Sequence, residues 1–270
     1  MNAISGSAGR PSMDSIRVER LGFQYESGLK VFEDLSFTAS QNEFLSIVGP
    51  SGCGKTTLLL LLSGLYGATS GTVLIDGTAV TRPLRKVGLV FQEYNRALLP
   101  WRSIVENVEL GLELQGMGLR ERRDIAKKYI DLVGLGKFAE DLPGRLSGGM
   151  KQRVQIARIL AYNPLILLMD EPFGALDAQT KLELHDELLR IFELEKKTVI
   201  FVTHDIEEAV YLGDRLLILS QRPSKLLESL EIKIPRPRDW GVRGSKDFID
   251  LCAHTWDIMK KERLRNQPRS

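Results

Sequence analysis

FLSIVGPSGCGKTTLLLLL, Phe44 to Leu62, decides the fold. The apolar run Phe44 to Val48 reads as a buried strand, and Leu58 to Leu62 as the buried part of a helix. Between them Gly49, Pro50, Ser51, Gly52, Cys53, Gly54, Lys55, Thr56 and Thr57 follow the pattern G, four residues, G, K, then S or T. Strand, glycine-rich turn and helix, in that order, form the context in which such a loop wraps phosphates. Glycines let backbone N–H groups curl around an anion without Cβ clashes, and the helix opening near Lys55 turns its positive end toward them. Lys55 would reach the β and γ phosphates of a triphosphate, and Thr56 would offer a hydroxyl to Mg2+. A chance glycine turn before a buried helix is the competing reading of the nonapeptide alone.

Outward from this stretch, short apolar segments alternate with helical ones. Strands are expected at Ile16 to Tyr25, Glu43 to Val48, Thr72 to Ile75, Val87 to Phe91, Leu165 to Met169, Thr198 to Thr203 and Arg215 to Leu219. Continuous apolar runs at Ile166 to Met169 and Val199 to Val202 are how strands of a parallel sheet covered on both faces read, whereas Ile16, Val18 and Phe23 suggest an antiparallel piece. The fold class is therefore α/β, with a mixed central sheet and an antiparallel β annex. From Glu93 to about Gly144 the pattern is helical and charged, with segments at Ser103 to Gln115 and Leu119 to Val133, an inserted helical subdomain. After Gln221 come an alternating piece, Leu226 to Ile234, a Pro-rich IPRPRDWG, and a helix with Phe248, Leu251, Cys252, Thr255 and Met259 on one face. The expected organisation is a tail at 1–14, a main domain at 15–220 with the helical subdomain at 93–160, and an extension at 221–270.

Composition limits the function classes. The 270 residues are 43% hydrophobic and 27% charged, enough for a substantial core, and a net charge of +2 makes no case for a nucleic-acid partner. Only Cys53 and Cys252 are present, so a disulfide framework is not expected. No stretch approaches the roughly 20 apolar residues needed to span a bilayer. The start, MNAISGSAGRPS, reads as a loose tail rather than a signal peptide, which points to the cytoplasm.

Three further stretches carry chemistry. LILLMDEP, Leu165 to Pro172, sets Asp170 and Glu171 at the carboxyl end of a buried strand, where open α/β sheets bind ligands. Asp170 suits the hydration shell of a metal ion and Glu171 the polarisation of an attacking water; an acidic helix cap is the alternative. His204 directly follows the strand Thr198 to Thr203 and could contact a γ phosphate, or be an ordinary loop histidine beside Asp205. LSGGMKQRV, Leu146 to Val154, places Ser147, Gly148 and Gly149 before a helix expected at Met150 to Ala161, a second anion site at a positive helix end. A plain N-cap explains the serine but not two successive glycines.

Together, the phosphate loop, Gln92 after a strand, LSGGM at Leu146 to Met150, the Asp170 and Glu171 pair, GALD at Gly174 to Asp177, and His204 resemble the nucleotide-binding subunit of an ABC transporter. The resemblance spans roughly Ile16 to Leu219. It implies the ABC ATPase variety of the P-loop fold, ATP hydrolysis with Mg2+, and a head-to-tail homodimer in which each ATP lies between the phosphate loop of one copy and the LSGG element of the other. It further implies that Tyr25 stacks on adenine, that Gln92 links magnesium and water to the membrane partner, and that Asp177 crosses the dimer interface. Tyr25 could instead be a strand aromatic packed in the core beside Phe23. One departure is Met150, which stands where the family usually has Gln.

Phe91 to Gly116, Glu171 to Lys181 and Ile234 to Trp240 resemble the importer branch that handles nitrate, sulfonates and taurine. That branch implies a separate integral permease, an extracytoplasmic solute-binding protein acting through it, and a peripheral position on the cytoplasmic face of the membrane. Leu98, Leu99 and Trp101 look exposed and would help form the permease groove; the alternative is that they simply pack the helical subdomain. The alternative function is a soluble ABC-type ATPase of DNA repair, cluster assembly or ribosomes; the short link between Gly49 and Ser147, without sustained heptads, argues against it.

Overall fold

The computed structural model describes residues 14–91, 97–174 and 176–265. Phe44–Val48 forms strand β3, and all five of its residues are buried because both faces of its sheet are covered. Phe44 and Val48 enter one hydrophobic core, and Leu45 and Ile47 the other. The same alternation splits β7 (Ile166–Asp170), β8 (Thr198–Val202) and β9 (Arg215–Leu219), so each continuous apolar run supplies two cores at once.

With β6 (Val87–Val90) and β10 (Leu226–Glu231), these strands make a six-stranded sheet of order β10-β9-β3-β8-β7-β6. All neighbours are parallel except the outer β10, which runs antiparallel to β9. The second sheet is antiparallel, of order β2-β1-β4-β5, from β1 (Asp14–Gln24), β2 (Lys30–Ser40), β4 (Ser70–Ile75) and β5 (Thr78–Ala79). Its apolar face closes the smaller core together with helix α1 (Lys55–Leu62). The mixed sheet and antiparallel annex are as the sequence indicates, and β1 opens at Asp14, one residue inside the tail expected at 1–14. Strand β2 is an addition: Leu35, Phe37 and Ala39 alternate inward, but Glu33 and Asp34 interrupt the pattern and β1 meets β2 through several register shifts.

The larger core is covered by α2 (Ile104–Leu114), α3 (Leu119–Leu132), α4 (Gly148–Tyr162) and α5 (Ala178–Glu195), with the short α6 (Ile206–Leu212) and the C-terminal α7 (Lys246–Arg265). Ser103 starts α2 with a reciprocal capping box to Glu106. Leu98, expected on the surface, is buried in this core, and Asn107 fixes the chain there by hydrogen bonds to both the N–H and the carbonyl of Leu99. Only Trp101 of that group stands out, 72% exposed. Phe248 and Cys252 seat α7 on the core, with Leu251 and Met259 beside them.

Candidate functional site

Register aligns the carboxyl ends of the parallel strands. Ile47 and Asp170 both pair with Val202, and Val48 pairs with Ile218, so the segments leaving β3, β7, β8 and β9 emerge along one edge. The phosphate loop leaves β3 at the middle of that edge. Its Gly54 has φ 111°, and a Cβ there would lie 2.3 Å from Val31 Cγ1, which reserves the position for glycine. Lys55 folds back over the loop, its Nζ donating to the carbonyls of Gly49 at 2.8 Å and Pro50 at 3.2 Å. Cys53 is buried and free, and burial pushes its thiol pKa up, so it holds no reactive thiolate.

Asp170 ends β7 at 3% exposure. Burial raises its carboxyl above the ordinary range, opposed by a hydrogen bond with Thr56, while the neighbouring Glu171 adds to the rise. The Thr56 hydroxyl and the Asp170 carboxylate form a pair of hard oxygen donors suited to a small divalent cation that keeps several waters. Among the described residues there is no cluster of three His, Cys, Asp or Glu that would make a dedicated all-protein metal site. Glu171 adopts φ 45°, a conformation uncommon outside glycine. Its N–H donates to Val202, its carbonyl accepts from Gln152 Nε2 at 3.2 Å, and its Oε2 lies 3.0 Å from His204 Nδ1. Glu171 and His204, distant in sequence, thus form one unit beside the phosphate loop.

A cavity of about 560 Å³ opens over the loop, bordered by Lys55, Thr56, Glu171 and His204 and also by Tyr25, Val31 and Arg222. Tyr25 is half-buried at the end of β1, its hydroxyl 2.8 Å from Thr57 Oγ1 and its ring edge-on to Phe23 at 4.9 Å. It belongs both to the cavity wall and to an aromatic cluster with Phe23 and Tyr66. Val31 and Arg222 are additions that sequence reasoning did not reach. Arg222 follows β9, and its position over Gly52 depends on β9 lying next to β3, which no local pattern announces. Gln92 lies outside the described residues, as does Ala175 within GALD.

The second glycine element stands apart from the cavity. Ser147 is exposed and caps α4, its Oγ accepting from Met150 N at 3.3 Å. Gly148 and Gly149 are not ahead of the helix, as expected, but its first two residues, because the serine cap lets α-helical dihedrals begin directly after it. Their N–H groups have no partner in a preceding turn and leave an anion-ready surface. Asp177 caps α5, accepting from Thr180 N at 2.9 Å, a bond that holds its carboxyl below the ordinary range. Neither Ser147 to Gly149 nor Asp177 borders the cavity.

The model of the ABC transporter family matches residues 32–174. An ABC transporter ATP-binding protein of Methanocaldococcus jannaschii is 48% identical over 93% of both chains. The nitrate import ATP-binding protein of a Synechocystis strain is 49% identical over 84% of this chain and 87% of its own length. An aliphatic sulfonates import ATP-binding protein of Bacillus cereus is 43% identical, covering 85% and 88%. Among solved structures, a dimeric post-hydrolysis state of the ATP-binding cassette MJ0796, bound to ADP and Pi, superposes with a TM-score of 0.75 at 34% identity, covering 82% of this chain and all of that one.

Proposed function

The chain belongs to the ABC transporter family and is an ATPase, and we propose that it is the nucleotide-binding subunit of an importer, driving uptake of a small solute through a separate permease. The import relatives, named for nitrate and for aliphatic sulfonates, support a solute of that kind; taurine or a similar solute, and delivery by an extracytoplasmic binding protein, are part of the same proposal. Among the described residues no helix is long and apolar enough to cross a membrane; in this reading a separate permease supplies the spanning segments and this subunit docks on their cytoplasmic side. Within it we assign 15–220 to the ATPase domain, 93–160 to a helical subdomain and 221–270 to a C-terminal extension.

One observation carries the mechanism: Lys55, Glu171 and His204 share a cavity, while Ser147 to Gly149 stand outside it on the surface. A second copy, placed head to tail, would bring its own Ser147 to Gly149 over the triphosphate, with Asp177 at the seam; the dimeric ADP-bound relative supports this assembly. Lys55 exchanges its bonds to Gly49 and Pro50 for the β and γ phosphates, and loop N–H groups hold the remaining oxygens. Thr56 and Asp170 would hold Mg2+, which when bound would neutralise charge developing on the phosphates. Glu171 accepts the proton of the attacking water, and His204 Nδ1 keeps that carboxylate oriented. Arg222 supplies a further positive charge, and Tyr25 a face for the adenine ring. Gln92 would carry the state of the site to the permease. Closure on binding and reopening after hydrolysis give the two states that a transporter needs.

Glu171→Gln tests this reading. Phosphate release should fall by about 10²-fold or more, ATP should still bind, and light scattering should show a dimer that accumulates with ATP. Wild-type turnover in the variant would overturn the assignment.

A further inference from the structure

We propose that the cleft between α7 and the phosphate loop is a second ligand site, taking a planar aromatic monoanion, whose occupancy weakens nucleotide binding. The cleft encloses about 580 Å³, within the range of small-molecule pockets, and lies between Pro50 and Ser51 on one side and Trp256, Met259, Lys260 and Arg263 on the other. Helical spacing explains the second wall. Phe248, Cys252, Thr255 and Glu262 of α7 are buried against the body of the protein, and Trp256, Lys260 and Arg263, at i, i+4 and i+7, form the adjoining stripe. Trp256 is 61% exposed, a large apolar surface left in water at the cleft. Neither Lys260 nor Arg263 has an ion-pair or hydrogen-bond partner among the described residues.

Two cations without a partner among the described residues, beside an open indole, select a flat ring carrying negative charge: the ring covers Trp256 while the charge is met by Lys260 and Arg263. Asp257, also on the wall, disfavours a second negative charge on the ligand.

Coupling to the nucleotide follows from shared walls and rests on the reading that the triphosphate lies on Gly49 to Thr56. Ser51 borders both cavities, and Gln221 of the cleft is followed directly by Arg222 of the nucleotide cavity. The Glu262 carboxylate accepts from the Gln221 N–H at 3.1 Å and so ties α7 to that loop. An anion bound beside Pro50 and Ser51 opposes the phosphates by like charge, and by linkage each ligand weakens the other by one common factor.

The test is calorimetric titration of 2-naphthoate into the full chain, alone and at increasing ADP. Saturable one-to-one binding is expected, weakened about tenfold or more by Lys260→Ala with Arg263→Ala and, separately, by Trp256→Ala. The apparent Kd should rise with ADP to a plateau, the mark of coupling between two sites. Absence of saturable binding, a Kd indifferent to these substitutions, or a Kd that climbs in proportion to ADP without limit would each overturn the proposal, the last by placing naphthoate in the nucleotide cavity. If ADP itself gave no binding while naphthoate bound with the expected sensitivity, the nucleotide reading would fail and the cleft would stand as a ligand site.

Discussion

Lys55 shows how one side chain is held ready. Its ammonium is satisfied by the carbonyls of Gly49 and Pro50, so the charge is neither unpaired nor committed to a carboxylate. Lys55→Ala should remove nucleotide binding itself, read as loss of saturation with a fluorescent ATP analogue; unchanged affinity would refute the loop's role. Arg222, over Gly52 with no ion-pair partner among the described residues, should contribute less because its site is open to solvent. Arg222→Ala is expected to weaken ATP binding by about three- to tenfold, near 1 kcal/mol, in the same titration. Glu171 at φ 45° carries backbone strain of about 1–3 kcal/mol, a cost met by surrounding structure that fixes its N–H, carbonyl and carboxylate separately.

Helices connect these residues. The first turn of α4 carries the second glycine element, and Gln152, four residues beyond Gly148, binds the Glu171 carbonyl, so one helix joins the outer anion surface to Glu171. At α6 the linkage runs to the C-terminal extension. Glu208 is buried and accepts from the Thr203 hydroxyl, lies 2.7 Å from His185 Nε2, and pairs with Lys181 at 3.2 Å. Arg243 reaches His185 Nδ1 at 3.3 Å and stacks 4.2 Å from the Tyr211 ring. Arg238 caps the end of α6, donating to the carbonyls of Val210, Tyr211 and Gly213. Burial lowers the pKa of Arg238 to about 10, so it is still charged at neutral pH. Arg238→Ala would leave those carbonyls without their donor and should lower stability by about 2 to 4 kcal/mol, read from the urea midpoint. Lys in its place should rescue little, because one ammonium cannot reproduce the planar fork. A midpoint within error of wild type would show the cap to be dispensable.

Head-to-tail assembly makes a prediction that a single-chain site does not. Ser147→Arg damages only the surface offered to the partner, and Lys55→Ala only the chain's own loop, so each homodimer should be inactive. In a mixed dimer the loop of the Ser147→Arg chain meets the intact LSGG of the Lys55→Ala chain, restoring one site. Random mixing should then recover about a quarter of the wild-type sites, read as phosphate release. Mixtures no more active than the separate variants would place both elements in one chain's site and remove the composite dimer.

What could be read from the chain is what local chemistry imposes. The strand, glycine turn and lysine of Phe44 to Leu62 admit few conformations other than a phosphate loop, and the doubly apolar strands announce a sheet covered on both faces. Asp170, Glu171 and His204 were legible because strand ends mark themselves by the change from apolar to polar residues. Strand order was not legible, since β9 could lie anywhere in the sheet as far as Arg215 to Leu219 shows; its place beside β3 arises from packing across the whole core, and it brings Arg222 to the cavity over the glycine-rich loop. The same holds for Leu98, whose burial depends on helices far along the chain, and for the cleft of Trp256, Lys260 and Arg263. On a helix diagram those three are an ordinary surface stripe. They become a site because Phe248 and Cys252 seat α7 on the core and Glu262 ties it to Gln221, leaving that stripe against Pro50 and Ser51.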